Sequence, residues 1–344
     1  MTNNASKLPK QQHYVPQFML KGFAAGKHDQ VWVFDKKTGK TFRTTVRNVA
    51  VQRAFYDVPV PGGTLSLEPS LASFEGEVAP LVKRIRRERS IGFLTEADRG
   101  LIALFIAAQR IRTQQWRVDF AQASAHLAAH MRHFAKQMGL DPNTTVGIPR
   151  ENLSEEEIKL QAIRMLEEAH EHVPYLLDKT WILFGNDTSF PFYISDNPVT
   201  LQNSRDFGPY GNIGYAVPGI EIYLPLSKDL CLGLLCPSFE ERAREIQAVA
   251  SAVDKLKVAS KSELAPKMSP AEVLLRGIDT GAVVPSVRDN IVRNNSLQVK
   301  YAEQYIFCPT DDFGLVRDML QKHPHLRSGP RMHIGTPGMR QEDN

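Results

Sequence analysis

Two hydrophobic periodicities divide this chain, and their order constrains the fold more than any motif does. Between residues 71 and 89, apolar side chains fall at 71, 74, 78, 81, 82 and 85, the spacing of one helix face. Thr95 is an N-cap for a helix expected to run unbroken from 96 to about 138, with Gly139 as its stop. Ser154 followed by Glu155, Glu156 and Glu157 is a capping box, opening a helix towards Pro174. On either side of this helical block the pattern shortens to strands. Segments 31–34 and 41–44 flank a turn with Gly39 and read as a hairpin. Segments 181–184, 192–195, 221–226, 230–235 and 304–308 read as later strands, with a helix over 287–302. Helices gathered between runs of strands predict an α+β fold, not alternating βαβ units. The expected layout is a β-rich lobe (1–65), a helical middle (66–178) and an α+β portion (179–310). These pack as one composite domain over 1–322, and 323–344 is expected to be a loose tail.

With 344 residues, 42% apolar and 23% charged, the composition is that of a globular chain. The longest apolar run, 101–108, is far short of the roughly 20 residues a bilayer helix needs, and residues 1–12 are polar. A non-membrane, cytoplasmic protein is expected. Cys231, Cys236 and Cys308 are too scattered for a disulfide framework and read as reduced. The net charge is only +4, but basic residues concentrate in 1–53 and 83–117 and acidic ones in 151–178. The two basic zones are either solvated faces or a surface for nucleic-acid phosphates.

Several familiar sites are absent. No phosphate loop of the Gly-x4-Gly-Lys type occurs, and Gly208, Gly211 and Gly214 have the wrong spacing for a dinucleotide turn. No Gly-x-Ser-x-Gly elbow and no zinc-finger cysteine spacing occurs. His126, His130 and His133 share one helical face, which reads as an ordinary polar face; no metal ligands are assigned.

The informative segment is Gln12-His13-Tyr14-Val15-Pro16-Gln17, followed by Phe18, Leu20 and Phe23. Together with Ser195-Asp196-Asn197-Pro198 it resembles a bacterial family catalogued as domain of unknown function 4238. Softer matches follow in order: Phe55-Tyr56, Glu75, the run Ala108 to Thr113, Leu224-Pro225-Leu226-Ser227, and Asn294 ahead of a Tyr-Ile-Phe strand. The resemblance covers roughly 11–310, and the family implies no activity. One departure is Gln52-Arg53-Ala54, where an acidic residue is expected before Phe55.

The chemistry is therefore read from the residues. His13 can exchange a proton near neutral pH, or it can lock the N-terminal segment by hydrogen bonding. Asp196 ends an apolar strand, either as an Asx turn or as a catalytic carboxylate at a sheet rim. Glu75 is the third candidate catalytic group. Arg110 and Arg112 diverge by about 200° on a helix, so one alone can face a shared site, and Arg112 is taken as the anion clamp. Tyr14, Gln17, Gln109, Asn197 and Asn294 complete the expected substrate-binding set. The expected function is a hydrolase on a phosphate-containing substrate, foremost a nuclease on RNA or DNA, with a divalent cation such as Mg²⁺ as an open cofactor. The alternative is a non-catalytic ligand-binding or sensor protein, in bacterial defence for example. Residues 12–23 are expected to dock on the body, because Pro16 stiffens the entry and the apolar stripe needs burial.

Overall fold

A computed structural model describes residues 10–205, 207, 213–256 and 268–331. The chain enters through strand β1 (Gln11–His13) and the single-turn helix α1 (Gln17–Leu20), then forms the hairpin β2 (Gln30–Asp35) and β3 (Thr41–Thr45). Gly39 supplies the positive φ (73°) that this turn requires, and its N–H reaches the Asp35 carbonyl at 2.7 Å. Strand β4 (Val51–Arg53) returns beside β1, and β5 (Asp57–Val60) with β6 (Gly63–Ser66) makes a second small hairpin.

The helical block follows: α2 (Glu68–Glu88), α3 (Glu96–Ile111), α4 (Gln114–Gln137), α5 (Glu155–Glu167) and the short α6 (Val173–Leu177). Strands β7 (Thr180–Gly185), β8 (Ile194–Ser195), β9 (Thr200–Asn203), β10 (Ile220–Ser227) and β11 (Leu230–Leu235) come next. Helices α7 (Pro237–Leu256) and α8 (Pro270–Thr280) lead to β12 (Val284–Pro285), α9 (Arg288–Tyr301), β13 (Tyr305–Cys308) and α10 (Gly314–Lys322).

The strands assort in a way that makes one α+β unit of the two ends of the chain. A four-stranded antiparallel sheet has the order β3-β2-β13-β8, so the N-terminal hairpin is completed by a strand from the far end of the described chain, Tyr305 pairing with Asp35. Val31, Val33, Ile306 and Phe307 have no exposed surface, which explains why β2 and β13 are central. A five-stranded sheet has the order β12-β7-β11-β10-β9, with β12 parallel to β7 and the rest antiparallel. Its inner strands β10 and β11 are apolar almost throughout, as strands covered on both faces must be. The segments around 181–184 and 192–195 therefore join different sheets instead of pairing with each other.

The helix expected over 96–138 is broken. Arg112 (φ −82°, ψ 20°) and Thr113 (φ −102°, ψ 159°) leave helical geometry. The Thr113 hydroxyl accepts the Trp116 N–H at 3.2 Å and donates to the Arg110 carbonyl at 3.2 Å. Thr113 is thus the N-cap of a second helix. The capping boxes at Thr95 and Ser154 form as their sequences indicate, but α5 ends at Glu167 and a 3₁₀ turn carries the chain to α6.

Residues 323–331, read from sequence as the start of a loose tail, are tied to the body. A 3₁₀ turn spans Pro324–Arg327, and Arg327 Nη1 donates to the Lys36 carbonyl at 3.2 Å. Lys36 Nζ reaches the Ser328 carbonyl, Gly329 N–H donates to Glu303, and Gln115 Nε2 donates to the Pro330 carbonyl at 2.7 Å. Residues 332–344 lie outside the described part.

Candidate functional site

The His13 motif is docked, as the apolar stripe requires. Tyr14, Val15, Met19, Leu20 and Phe23 are buried, and Phe18, half-buried, packs against Phe105 at 5.5 Å. Gln12 bridges to the next hairpin by accepting the Tyr56 N–H and donating to Asp57, both at 2.7 Å. Gln109 Nε2 donates to the Tyr14 carbonyl at 2.9 Å. The carbonyl of His13 receives Arg112 Nη2 at 2.9 Å and the Tyr56 hydroxyl at 3.2 Å. Arg112 Nε donates to that same hydroxyl at 3.0 Å, and Nη1 lies 2.7 Å from Glu75 Oε1 as an ion pair. The buried Arg112 guanidinium is thus occupied by protein groups at every nitrogen. His13 is half-buried, which lowers its pKa against the pull of the Arg47 and Val46 backbone, and its Nε2 is buried without a hydrogen-bond partner among the described residues. Gln17 opens α1, half-buried.

The second motif is equally enclosed. Asp196 Oδ1 accepts the Glu303 N–H at 2.8 Å, while Oδ2 accepts those of Gln304 (2.7 Å) and Tyr305 (2.8 Å). Its carboxylate therefore orders the chain entering β13. Burial pushes its pKa up to about 6, against the pull of these N–H groups and the Lys36 ammonium. Lys36 itself is fully buried and donates to the carbonyls of Val299 (2.7 Å) and Ala302 (2.5 Å). Asn294 is buried on α9, with Nδ2 bonded to the Asn290 carbonyl and Oδ1 unpartnered. Its neighbours fasten β8: Asn295 Oδ1 accepts the Tyr193 N–H, and Gln298 Oε1 accepts both N–H and hydroxyl of Ser195.

An accessible chamber lies where α4 starts. It has a volume of about 320 Å³ and is lined by Arg110, Asp119, Asn197, Lys300, Tyr301 and Arg331 among others. Asn197, 4% exposed, donates from Nδ2 to the Tyr301 carbonyl at 3.0 Å, whereas its Oδ1 is buried without a partner among the described residues. Among the described residues the Arg110 guanidinium makes no hydrogen bond or ion pair. Asp119 accepts Gln115 Nε2 at 2.7 Å; burial raises its pKa, opposed by that bond and by Arg110 and Arg331. Arg331 is held as a fork on Glu303, at 2.9 and 3.0 Å. A second chamber of about 430 Å³ shares the walls Arg110 and Trp116.

Part of the basic zone of 83–117 is used inside the protein and part in surface ion pairs. Arg86 donates to the carbonyls of Phe18, Met19 and Leu226, and Arg117 to that of Phe55. Arg84 and Arg87 pair with Glu88, and Arg89 with Asp187. No cluster of three His, Cys, Asp or Glu residues suited to a metal ion occurs among the described residues, and no described helix is long and apolar enough to cross a membrane.

Residues 11–312, which contain both motifs and almost all the elements above, match the family described as "Protein of unknown function (DUF4238)". The chain belongs to this family. No curated protein and no solved structure matches it. His13, Tyr14 and Asp196 thus lie in the enclosed part of the protein, whereas Arg110, Asp119, Asn197, Lys300 and Arg331 line the open chamber. Of the residues expected from sequence to form a site, Asn197 alone lines that chamber. Asp119 and Arg331 carried no sequence signal. Thr113 did, since a Thr three residues before Trp116 can cap a helix and turn Arg110 and Arg112 apart.

Proposed function

We propose that this protein binds a small phosphate- or carboxylate-bearing molecule in the chamber at the start of α4 and acts as a ligand-binding or sensor protein. The observation that carries this reading is that Arg110, with no hydrogen bond or ion pair among the described residues, and Asn197, whose buried Oδ1 has no partner among them, line one chamber. A guanidinium without an internal partner is matched to an anion, and Asn197 Oδ1 accepts a donor from the same ligand. Lys300 adds positive charge to the lining, whereas Arg331 is already paired with Glu303. The volume suits a small molecule. The internal use of Arg86, Arg112 and Arg117 supports a small anion over a nucleic-acid backbone spread along 83–117.

One observation favours hydrolysis as a second reading. Asp119 is a carboxyl whose pKa is raised by burial beside an anion-binding arginine, which is the setting of a general acid or base. In that reading His13, Asp196 and Glu75 position the framework and Asp119 handles the proton.

Calorimetric titration with inorganic phosphate tests the first reading. Binding that disappears in Arg110→Met, at unchanged melting temperature, is expected; no binding, or equal binding by the variant, overturns it. Labelled RNA, single-stranded DNA and duplex DNA, with and without Mg²⁺, test the second. Turnover lost in Asp119→Asn supports hydrolysis, and no turnover removes it.

A further inference from the structure

We infer that the ligand is a planar heterocycle carrying an anionic group, of which a nucleoside monophosphate is the simplest form, with its ring in the second chamber. The inference rests on the anion-binding reading above and deepens it. Arg110 and Trp116 border both chambers, so the proposed ligand, held by Arg110 in the first, would run along these two side chains to place its ring in the second. Their chemistry differs. The first is polar, whereas Ile111, Met165, Leu201 and Val217 give the second apolar sides.

The second chamber still holds polar groups. The Tyr215 hydroxyl is buried and has no hydrogen-bond partner among the described residues, and burial pushes its pKa up to about 12, so it stays a neutral donor and acceptor. The His172 ring packs edge-on against Tyr215 at 5.3 Å and lines the same space. A purely aliphatic tail would leave the hydroxyl orphaned, which is costly. A flat ring with a hydrogen-bonding edge satisfies the apolar faces and the hydroxyl together. The Tyr301 hydroxyl, bonded to the Leu201 carbonyl at 2.5 Å, ties the two chambers' walls together and fixes their spacing. Each chamber falls within the range of volumes, about 300 to 1,000 Å³, found for small-molecule sites.

The test titrates the whole chain with inorganic phosphate, a nucleoside, and the four common nucleoside monophosphates. At least one monophosphate should bind ten-fold or more tightly than phosphate. Tyr215→Phe should remove most of that gain while leaving phosphate affinity and melting temperature intact. Ala216→Trp, on an exposed loop position lining the second chamber, should block the ring and spare phosphate. Phosphate bound as tightly as every monophosphate overturns this inference while the anion reading stands. A monophosphate gain insensitive to both variants also overturns it. Absence of binding by phosphate and monophosphates alike overturns the anion reading itself.

Discussion

Arg110 and Arg112 stand two residues apart at the end of one helix, and their guanidinium groups have different surroundings. Arg112 turns inwards and holds the His13 carbonyl, the Tyr56 hydroxyl and Glu75. Arg110 lines the open chambers with no internal partner among the described residues. The capped break at Thr113 ends α3 just there. One arginine is spent on the fold so that the N-terminal motif stays docked; the other is left for a ligand.

Arg112→Met should therefore destabilise the protein by about 3 kcal/mol, because it leaves the Glu75 carboxylate without its ion-pair partner and takes a donor from both the Tyr56 hydroxyl and the His13 carbonyl. Urea unfolding measures this. Phosphate affinity per folded molecule should be unchanged. A variant as stable as the parent but unable to bind would make Arg112 the ligand clamp after all.

Asp196→Asn replaces one carboxylate oxygen by an NH₂ group that faces backbone N–H donors. The cost should be about 2 kcal/mol, the scale of a buried donor left unpaired. Amide exchange at Glu303, Gln304 and Tyr305 should speed up. Unaltered stability would show that the carboxylate is not holding the entry to β13.

Lys36 gives a pH signature with a definite sign. Burial holds its pKa down at about 8, below the ordinary 10.5, although Asp196 and Glu303 pull it up. A depressed value in the folded state means a stability contribution that is complete above 10.5 and is lost as pH falls through about 8. The parent should gain stability relative to Lys36→Met as pH rises from 8 towards 10.5. Urea midpoints of both proteins across that range test it, and a constant difference would mean that Lys36 titrates normally.

A Cβ at Gly329 would run into the Gln115 carboxamide, so that side chain would have to give up its bonds to Asp119 and Pro330 to make room. Gly329→Ala should release residues 328–331, take Arg331 from the chamber wall and speed tryptic cleavage after Arg327. Phosphate binding should weaken several-fold while the core keeps its stability. An unchanged cleavage rate would show that the segment accommodates the methyl group in place.

The order of elements was legible in the sequence because it is written in local chemistry. Apolar spacing, the capping boxes at Thr95 and Ser154, and Gly39 in a positive-φ turn act within a few residues and need no partner from afar. The docking of residues 12–23 was legible for a related reason: Pro16 restricts the backbone and the apolar stripe has to be covered. The role of Asp196 was not. A strand-end Asp-Asn reads the same whether its acceptors serve a substrate or three N–H groups more than a hundred residues away. The chamber was less visible still, since it joins Arg110, Asp119, Asn197, Lys300 and Arg331 from four separate parts of the chain. Bonds such as Asn197 to the Tyr301 carbonyl and Gln115 to the Pro330 carbonyl join those parts across a hundred residues or more, which no local periodicity encodes.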